Sequence, residues 1–447
     1  MRTYEEFLEE RSKKCEADSC FSKDLYDKYD VKKGLRDSNG KGVVAGLTNI
    51  SKVIGTEVVD GQTVPTEGKL SYRGYDINDL VNMNGNELGL FEKCAYLLLF
   101  NELPNKEQLD EFRYYLNGQM AMPKGFVRSV ILKDNGYDVM NTLSRGVLNL
   151  ALYDKYLDSS TPKDNLEHVL NIISSMPAMA VYGYRAYSHY DLGEALYIRK
   201  PDSELTVAEN ILMMLRPSGI YSRTEAVALD RLMVLHMEHG GGNNSTFTAR
   251  VVSSSGSDTY SVVAAAILSL KGPKHGGASH KVSKMISNIE ENVEDITDRD
   301  QMYDYLCKIA DKNAFDRTGL IYGIGHAVYT LSDPRAEILR ASIGELAKSK
   351  GREREFRMFE LIEELSPGII AERHESTANC ANIDLYSGFV YDLLGIPEDL
   401  YTPMFAVARS VGWCAHHLEE TISSNKIIRP AYVSIVEMRD IEEELDP

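Results

Sequence analysis

No stretch of about 18 or more apolar residues occurs in this chain, which excludes a membrane-spanning helix. Positive charge is also in short supply. Lys and Arg number 49 against 67 Asp and Glu, a net charge of −18, which argues against nucleic acid or an anionic membrane surface as the main partner. An anionic small molecule would have to be held by local arginines working against the field of the whole. Cysteine is sparse: Cys15, Cys20, Cys94, Cys307, Cys380 and Cys414 show no Cys-x-x-Cys or Cys/His ligand spacing. They read as free thiols in a reducing compartment, with Cys15 and Cys20 exposed in a charged segment. The opening Met-Arg-Thr-Tyr-Glu-Glu-Phe-Leu-Glu-Glu has no apolar centre and is too acidic for a transit peptide, so the cytoplasm is the expected location.

What is present is an ordinary globular composition, 43% hydrophobic and 26% charged, over a length that points to two domains, or one large domain with a smaller one inserted. Residues 1–30 read as a charged amphipathic helical segment. Two β-branched runs follow, Val43–Leu47 and Ile54–Val59, the second ending at an Asp60-Gly61 turn signal, and a small β element is expected near 43–75. Beyond it the pattern is helical. Leu90–Phe100 and Lys106–Leu116 carry helix-period apolar residues. Ser222 with Glu225 forms a capping box opening a helix to Glu238, and Asp333-Pro334 opens another. The expected architecture is mostly α with a minor β element.

Glycine-rich breaks at 240–242, 272–277 and 323–325 each hold or border a histidine. Loops between rigid helices are where reacting groups tend to sit, and glycine permits close approach of a ligand. His236 and His239 lie three apart at a helix end, whose dipole favours a cationic histidine suited to a carboxylate. His275 stands just before a helix start, where positive potential favours neutral imidazole. His326 follows Gly323-Ile324-Gly325, which lacks the strand–turn–helix setting of a dinucleotide fingerprint. Asp384 precedes a helical run as an N-cap would. Arg409 and Arg429 lie in or just after apolar helical sequence. A metal reading finds no third ligand at a recognisable spacing.

Taken singly these are weak signals, but their order is specific. His239-x3-Asn243, Gly-Pro-x-His275-Gly-Gly-Ala, Gly-x-Gly-His326-x8-Arg335, Asn-x-Asp384-x3-Gly388, Phe405-x3-Arg409 and Arg429-Pro430 occur in succession. From about Gly34 to the C-terminus the sequence resembles the citrate synthase family. The resemblance implies an all-α fold of two domains working as a homodimer. A large helical domain would cover 34–277 plus 394–447, a small domain 278–393 would close over the active site, and 1–33 would be a helical extension. It implies condensation of acetyl-CoA with oxaloacetate, with no cofactor beyond the substrates and no metal. His275 would hydrogen-bond the thioester carbonyl, Asp384 would take a methyl proton, and His326 would polarise the ketone. His239, Asn243, Arg335, Phe405 and Arg409 would hold oxaloacetate, and Arg429 would reach the other subunit's site. The chemistry is coherent, because a carboxylate can deprotonate a thioester methyl only where the enolate oxygen is stabilised. A 2-methylcitrate synthase using propionyl-CoA, or a non-catalytic relative, are the alternatives. The sequence departs from the family pattern at Ala327 and Thr330, where bases that contact CoA phosphates are common.

Overall fold

The computed structural model describes residues 2–37, 41–133, 136–373, 379–424, 426–436 and 438. The chain forms two compact units, one of residues 1–47 with 428–447 and one of residues 48–427. In the first, α1 (Tyr4–Ser19) begins at a capping box between Thr3 and Glu6, and α2 (Lys23–Lys28) follows. Neither buries a residue, so the segment is helical but packs no apolar face. Residues 43–47 are not a strand. Val43 N–H bonds only back to Leu35 O at 2.9 Å, while Val44 and Leu47 are exposed, and a β-branched run without a neighbouring strand has no ladder to join.

The second unit opens with the sheet. Strands β1 (Ser51–Val59) and β2 (Gln62–Tyr72) pair antiparallel, and β3 (Tyr75–Asp76) adds to β2. Asp60 and Gly61 both have left-handed φ, 52° and 80°, the geometry of a tight hairpin turn that matches strand twist. A register shift between Ile54 and Thr56 sets Thr66, Glu67 and Gly68 of β2 opposite Gly55 alone, a bulge in β2.

The rest is helical. In order come α3 (Ile77–Asn82), α4 (Leu90–Phe100), α5 (Lys106–Gly118), α6 (Val139–Leu150), α7 (Pro162–Tyr190) and α8 (Val207–Leu215). Then follow α9 (Arg223–Met237), α10 (Asn244–Ser254), α11 (Thr259–Lys271), α12 (Ala278–Asn292) and α13 (Arg299–Ala310). The last are α14 (Pro334–Ser349), α15 (Glu353–Arg373), α16 (Ile383–Leu393) and α17 (Tyr401–Ser423). The Ser222–Glu225 capping box is formed, and Asp333 caps α14 with Pro334 in its first turn. Helix α17 lies against α7, α9, α10 and α11 and is buried along most of its length, so its polar residues face other helices rather than water. The boundary at 278–393 falls inside this second unit.

Candidate active site

Most of the site residues stand where a helix stops or starts. Helix α9 ends at Met237, and His239 lies beyond it in the turn where Gly240 takes φ 86°. Asn243 is the residue before α10. His275 sits in the α11–α12 loop, pinned where Gly276 N–H bonds Leu270 O at 2.8 Å and the Thr402 hydroxyl bonds Gly276 O at 2.9 Å. His326 is in the loop before α14, tied to the start of α16 by Gly325 N–H to Cys380 O at 2.7 Å and by the Asn382 amide to Gly325 O at 2.8 Å. Asp384 is not the N-cap of α16. Asn382 is, accepting Asp384 N–H at 3.0 Å, which leaves the Asp384 carboxylate free of capping duty. Phe405 and Arg409, one turn apart, share a face of α17.

These groups converge. The Phe405 ring centre is 4.4 Å from that of His236, 6.5 Å from that of His275 and 4.7 Å from Arg409 Cζ. The His239 ring lies 5.1 Å from His326 and 5.4 Å from Tyr329, and Tyr329 stacks on His326 at 4.7 Å. Arg335 lies over Tyr329 and bonds Asp333 through Nε at 3.0 Å and Nη2 at 2.8 Å, while Asp333 also accepts Ile383 N–H at 3.3 Å and so joins α14 to α16. His275, Asp384, His326, His239, Asn243, Arg335, Phe405 and Arg409 therefore belong to one neighbourhood of the second unit. Arg429 lies in the other unit.

Hydrogen bonds set the tautomers. His326 Nδ1 accepts the backbone N–H of Val328 at 3.1 Å and of Tyr329 at 3.0 Å, so the ring proton is on Nε2, which is then a donor. His275 Nε2 lies 3.0 Å from Ser245 Oγ, which also meets Trp413 Nε1 at 3.1 Å and Asn243 Oδ1 at 3.0 Å.

The expectation of cationic histidines at the end of α9 is overturned. Burial, then Arg409 and Arg335, lower the His236 pKa well below normal. Burial, then Arg335 and His326, do the same for His239. In a desolvated site beside two arginines, the dipole of a helix end does not win. His275 is held neutral as expected, but burial first and Arg409 second do it, lowering the pKa to about 4. Burial pushes Asp384 up to about 6 against the opposing pull of Arg335.

Arg409 is fully buried. Its Nε–H bonds His236 O at 2.6 Å, yet Nη1 and Nη2 have no hydrogen-bond partner among the described residues. Both ring nitrogens of His236 and Nε2 of His239 are likewise unsatisfied. Buried polar groups without a protein partner suit a polar ligand. Two terminal nitrogens of one guanidinium are the geometry that takes a carboxylate.

Several contributors escaped sequence reasoning. Tyr329 and Asp333 lie inside the His326–Arg335 motif. Ser245 and Trp413 reach His275 through contacts across 30 and 168 positions of chain. Glu238, wholly buried, accepts Ser51 Oγ at 2.8 Å, Gly240 N–H at 2.6 Å and His416 Nε2–H at 3.0 Å, anchoring the turn that carries His239. Its position between two histidines was the available signal.

The profile described as "Citrate synthase, C-terminal domain" matches residues 35–431. The chain belongs to the citrate synthase family. A citrate synthase of Haloferax volcanii is 34% identical over 408 residues, 90% of this chain and 94% of that protein. 2-Methylcitrate synthase 2 of Corynebacterium glutamicum is 32% identical over 412 residues, again 90% and 94%. Among solved structures, Thermoplasma acidophilum citrate synthase, in ternary complex with carboxymethyl coenzyme A and oxaloacetate, has a TM-score of 0.74 at 23% identity. It covers 92% of this chain and 99% of that one. Thermotoga maritima citrate synthase has a TM-score of 0.69 at 28% identity, covering 90% and 97%. The family fold, mostly helical with one small sheet, is the fold described above. No helix among the described residues is long and apolar enough to cross a membrane.

Proposed function

We propose that this chain condenses acetyl-CoA with oxaloacetate and water, giving citrate and CoA. The observation that carries the reading is the buried Arg409 fork with both terminal nitrogens open, beside neutral His239 and a His326 whose Nε2–H is a donor. Oxaloacetate offers a carboxylate for Arg409 and a ketone for His326, with Arg335 and Asn243 completing its enclosure.

Asp384 takes a proton from the acetyl methyl. A carboxylate raised to about 6 is a stronger base than usual and is still mostly ionised near neutrality. His275 donates to the thioester oxygen as negative charge develops there. For that, its hydrogen must be on Nδ1. The Ser245 hydroxyl, which accepts Trp413 Nε1–H and donates to Asn243 Oδ1, turns its proton to His275 Nε2, 3.0 Å away, to put it there. The enolate carbon then attacks the ketone carbon, forming a C–C bond while the C=O π pair goes to the oxygen, which takes the His326 Nε2 proton; water then adds its hydroxyl to the thioester carbon and its proton goes to the departing CoA thiolate. Closure of 278–393 over bound oxaloacetate excludes water until that step. No cofactor beyond the two substrates is needed. The protein works in the cytoplasm as a homodimer in which Arg429 enters the other subunit's site, and 1–33 is an extension outside the catalytic body.

Relatives named 2-methylcitrate synthase, at 32% identity, keep a second reading open in which propionyl-CoA is the donor. Oxaloacetate-dependent CoA release measured with both thioesters separates them. Release with acetyl-CoA preferred is expected. A preference for propionyl-CoA overturns citrate as the product, and no release with either overturns both readings.

A further inference from the structure

His326 owes its tautomer to the backbone of its own loop, and that loop rests on the β1–β2 hairpin. Two glycines make the contact. A Cβ on Gly55, opposite the bulge in β2, would overlap the Val328 carbonyl oxygen and lie 2.8 Å from its carbon and 3.1 Å from Tyr329 Cα. A Cβ on Gly68 in β2 would overlap the Ser332 carbonyl oxygen and lie 2.8 Å from Tyr329 Cδ1 and 3.0 Å from Pro334 Cδ. Neither glycine has a left-handed φ, so neither is needed for its backbone conformation. What both provide is the missing side chain that allows two backbones to touch. A latch adjoins them. Gly68 N–H donates to Ser332 Oγ at 3.1 Å, and the Ser332 hydroxyl donates to the Glu67 carboxylate. These contacts bracket 328–334, the segment whose Val328 and Tyr329 amides fix His326 and whose Asp333 holds Arg335.

We propose that the β1–β2 hairpin is the seat that aligns His326, with Gly55, Gly68 and the Glu67–Ser332 pair as positioning residues for binding and polarising the ketone. The inference rests on the reading of His326 as the ketone-binding group. None of the four residues needs to touch substrate. A ring nitrogen that must meet a ketone oxygen at hydrogen-bond distance tolerates little displacement, and a shift of about 1 Å can lower turnover on the order of 10²-fold. A methyl group at Gly68 has to move the Ser332–Tyr329 backbone, and His326 is held by that backbone.

The carbonyl stretch of enzyme-bound oxaloacetate, read by isotope-edited infrared difference spectra, reports polarisation directly. In the native protein it is expected below that of the free keto acid. If it is not, the role given to His326 fails, whatever the hairpin does. In Gly68→Ala the stretch is expected to return toward the free value. There kcat should fall on the order of 10²-fold, while oxaloacetate still quenches or enhances the single tryptophan, Trp413. Because Gly68→Ala can fail to fold, Glu67→Ala serves as the second variant, since Glu67 is exposed and its loss leaves the core intact. It should show a smaller shift in the same direction and a severalfold lower kcat. An unmoved stretch in Glu67→Ala, or in folded Gly68→Ala, overturns the proposal, because simple packing would change stability and leave the carbonyl where it was.

Discussion

Asp384 and His275 are perturbed by the same burial in opposite directions, and each direction suits a task. Desolvation disfavours charge, so it raises the carboxylate to about 6 and lowers the imidazole to about 4. Above about pH 6 Asp384, the proposed base, is ionised and His275, the proposed enolate stabiliser, is neutral. As the pH falls through 6, Asp384 takes up a proton while His275 is still neutral. The acid limb of kcat/KM for acetyl-CoA is therefore expected near 6 and belongs to Asp384, and a limb near 4 would assign it to His275. Asp384→Ala should lower turnover by about 10²–10⁴ and leave oxaloacetate binding intact by Trp413 fluorescence; lost binding would make Asp384 structural. The three groups proposed to react were picked out by the order of their motifs, since a glycine-flanked histidine or an Asn-x-Asp at a helix start is a weak signal taken singly. Their supports were not legible. Ser245, Trp413 and Glu238 act through hydrogen bonds between distant elements, and no spacing rule encodes those. The charge of His236 and His239 was misjudged for a related reason, since local dipole was visible and burial was not.

Helix ends were well marked by sequence because caps and turns are local chemistry. The hairpin turn at Asp60-Gly61, the Ser222–Glu225 box and Pro334 all behave as written. Residues 43–47 misled because β-propensity describes a surface that must still find a neighbour. How helices meet is harder to read, and the crossing of α9 and α17 is the instructive case. A Cβ on Gly412 would overlap the Glu238 carboxylate and stand 2.5 Å from Met237 O, so only glycine lets α17 reach the end of α9. Along the same face of α17, Arg409 bonds His236 O, Trp413 bonds Ser245 and His416 bonds Glu238. Burial pushes Glu238 up, yet His416, Arg409 and Ser51 hold it low, at about 2, so this contact is charged as well as close. Gly412→Ala should therefore destabilise the protein by about 1–3 kcal/mol through overpacking and weaken oxaloacetate together with it. An unchanged urea midpoint would mean that the two helices separate without strain.

At the scale of the whole molecule, the Arg409 fork is a buried cation in a protein of net charge −18. Arg409 lies at the crossing that organises α9 and α17. Burial lowers its pKa to about 10, and Glu238, Tyr72 and Asp384 pull it back up against the repulsion of Arg335. An unpaired buried cation is destabilising, and in the proposed reaction an oxaloacetate carboxylate is its partner. Binding of oxaloacetate alone should then stabilise the fold by about 2.7 kcal/mol at a hundred times its Kd. If 278–393 must close before the thioester site exists, CoA thioester alone should raise Tm little, and should raise it further once oxaloacetate is present. Thermal unfolding with each ligand singly and with both decides this. An equal shift from the thioester alone would mean that its site stands ready-made in the compact 48–427 unit, and that closure of 278–393 is not what orders the two substrates.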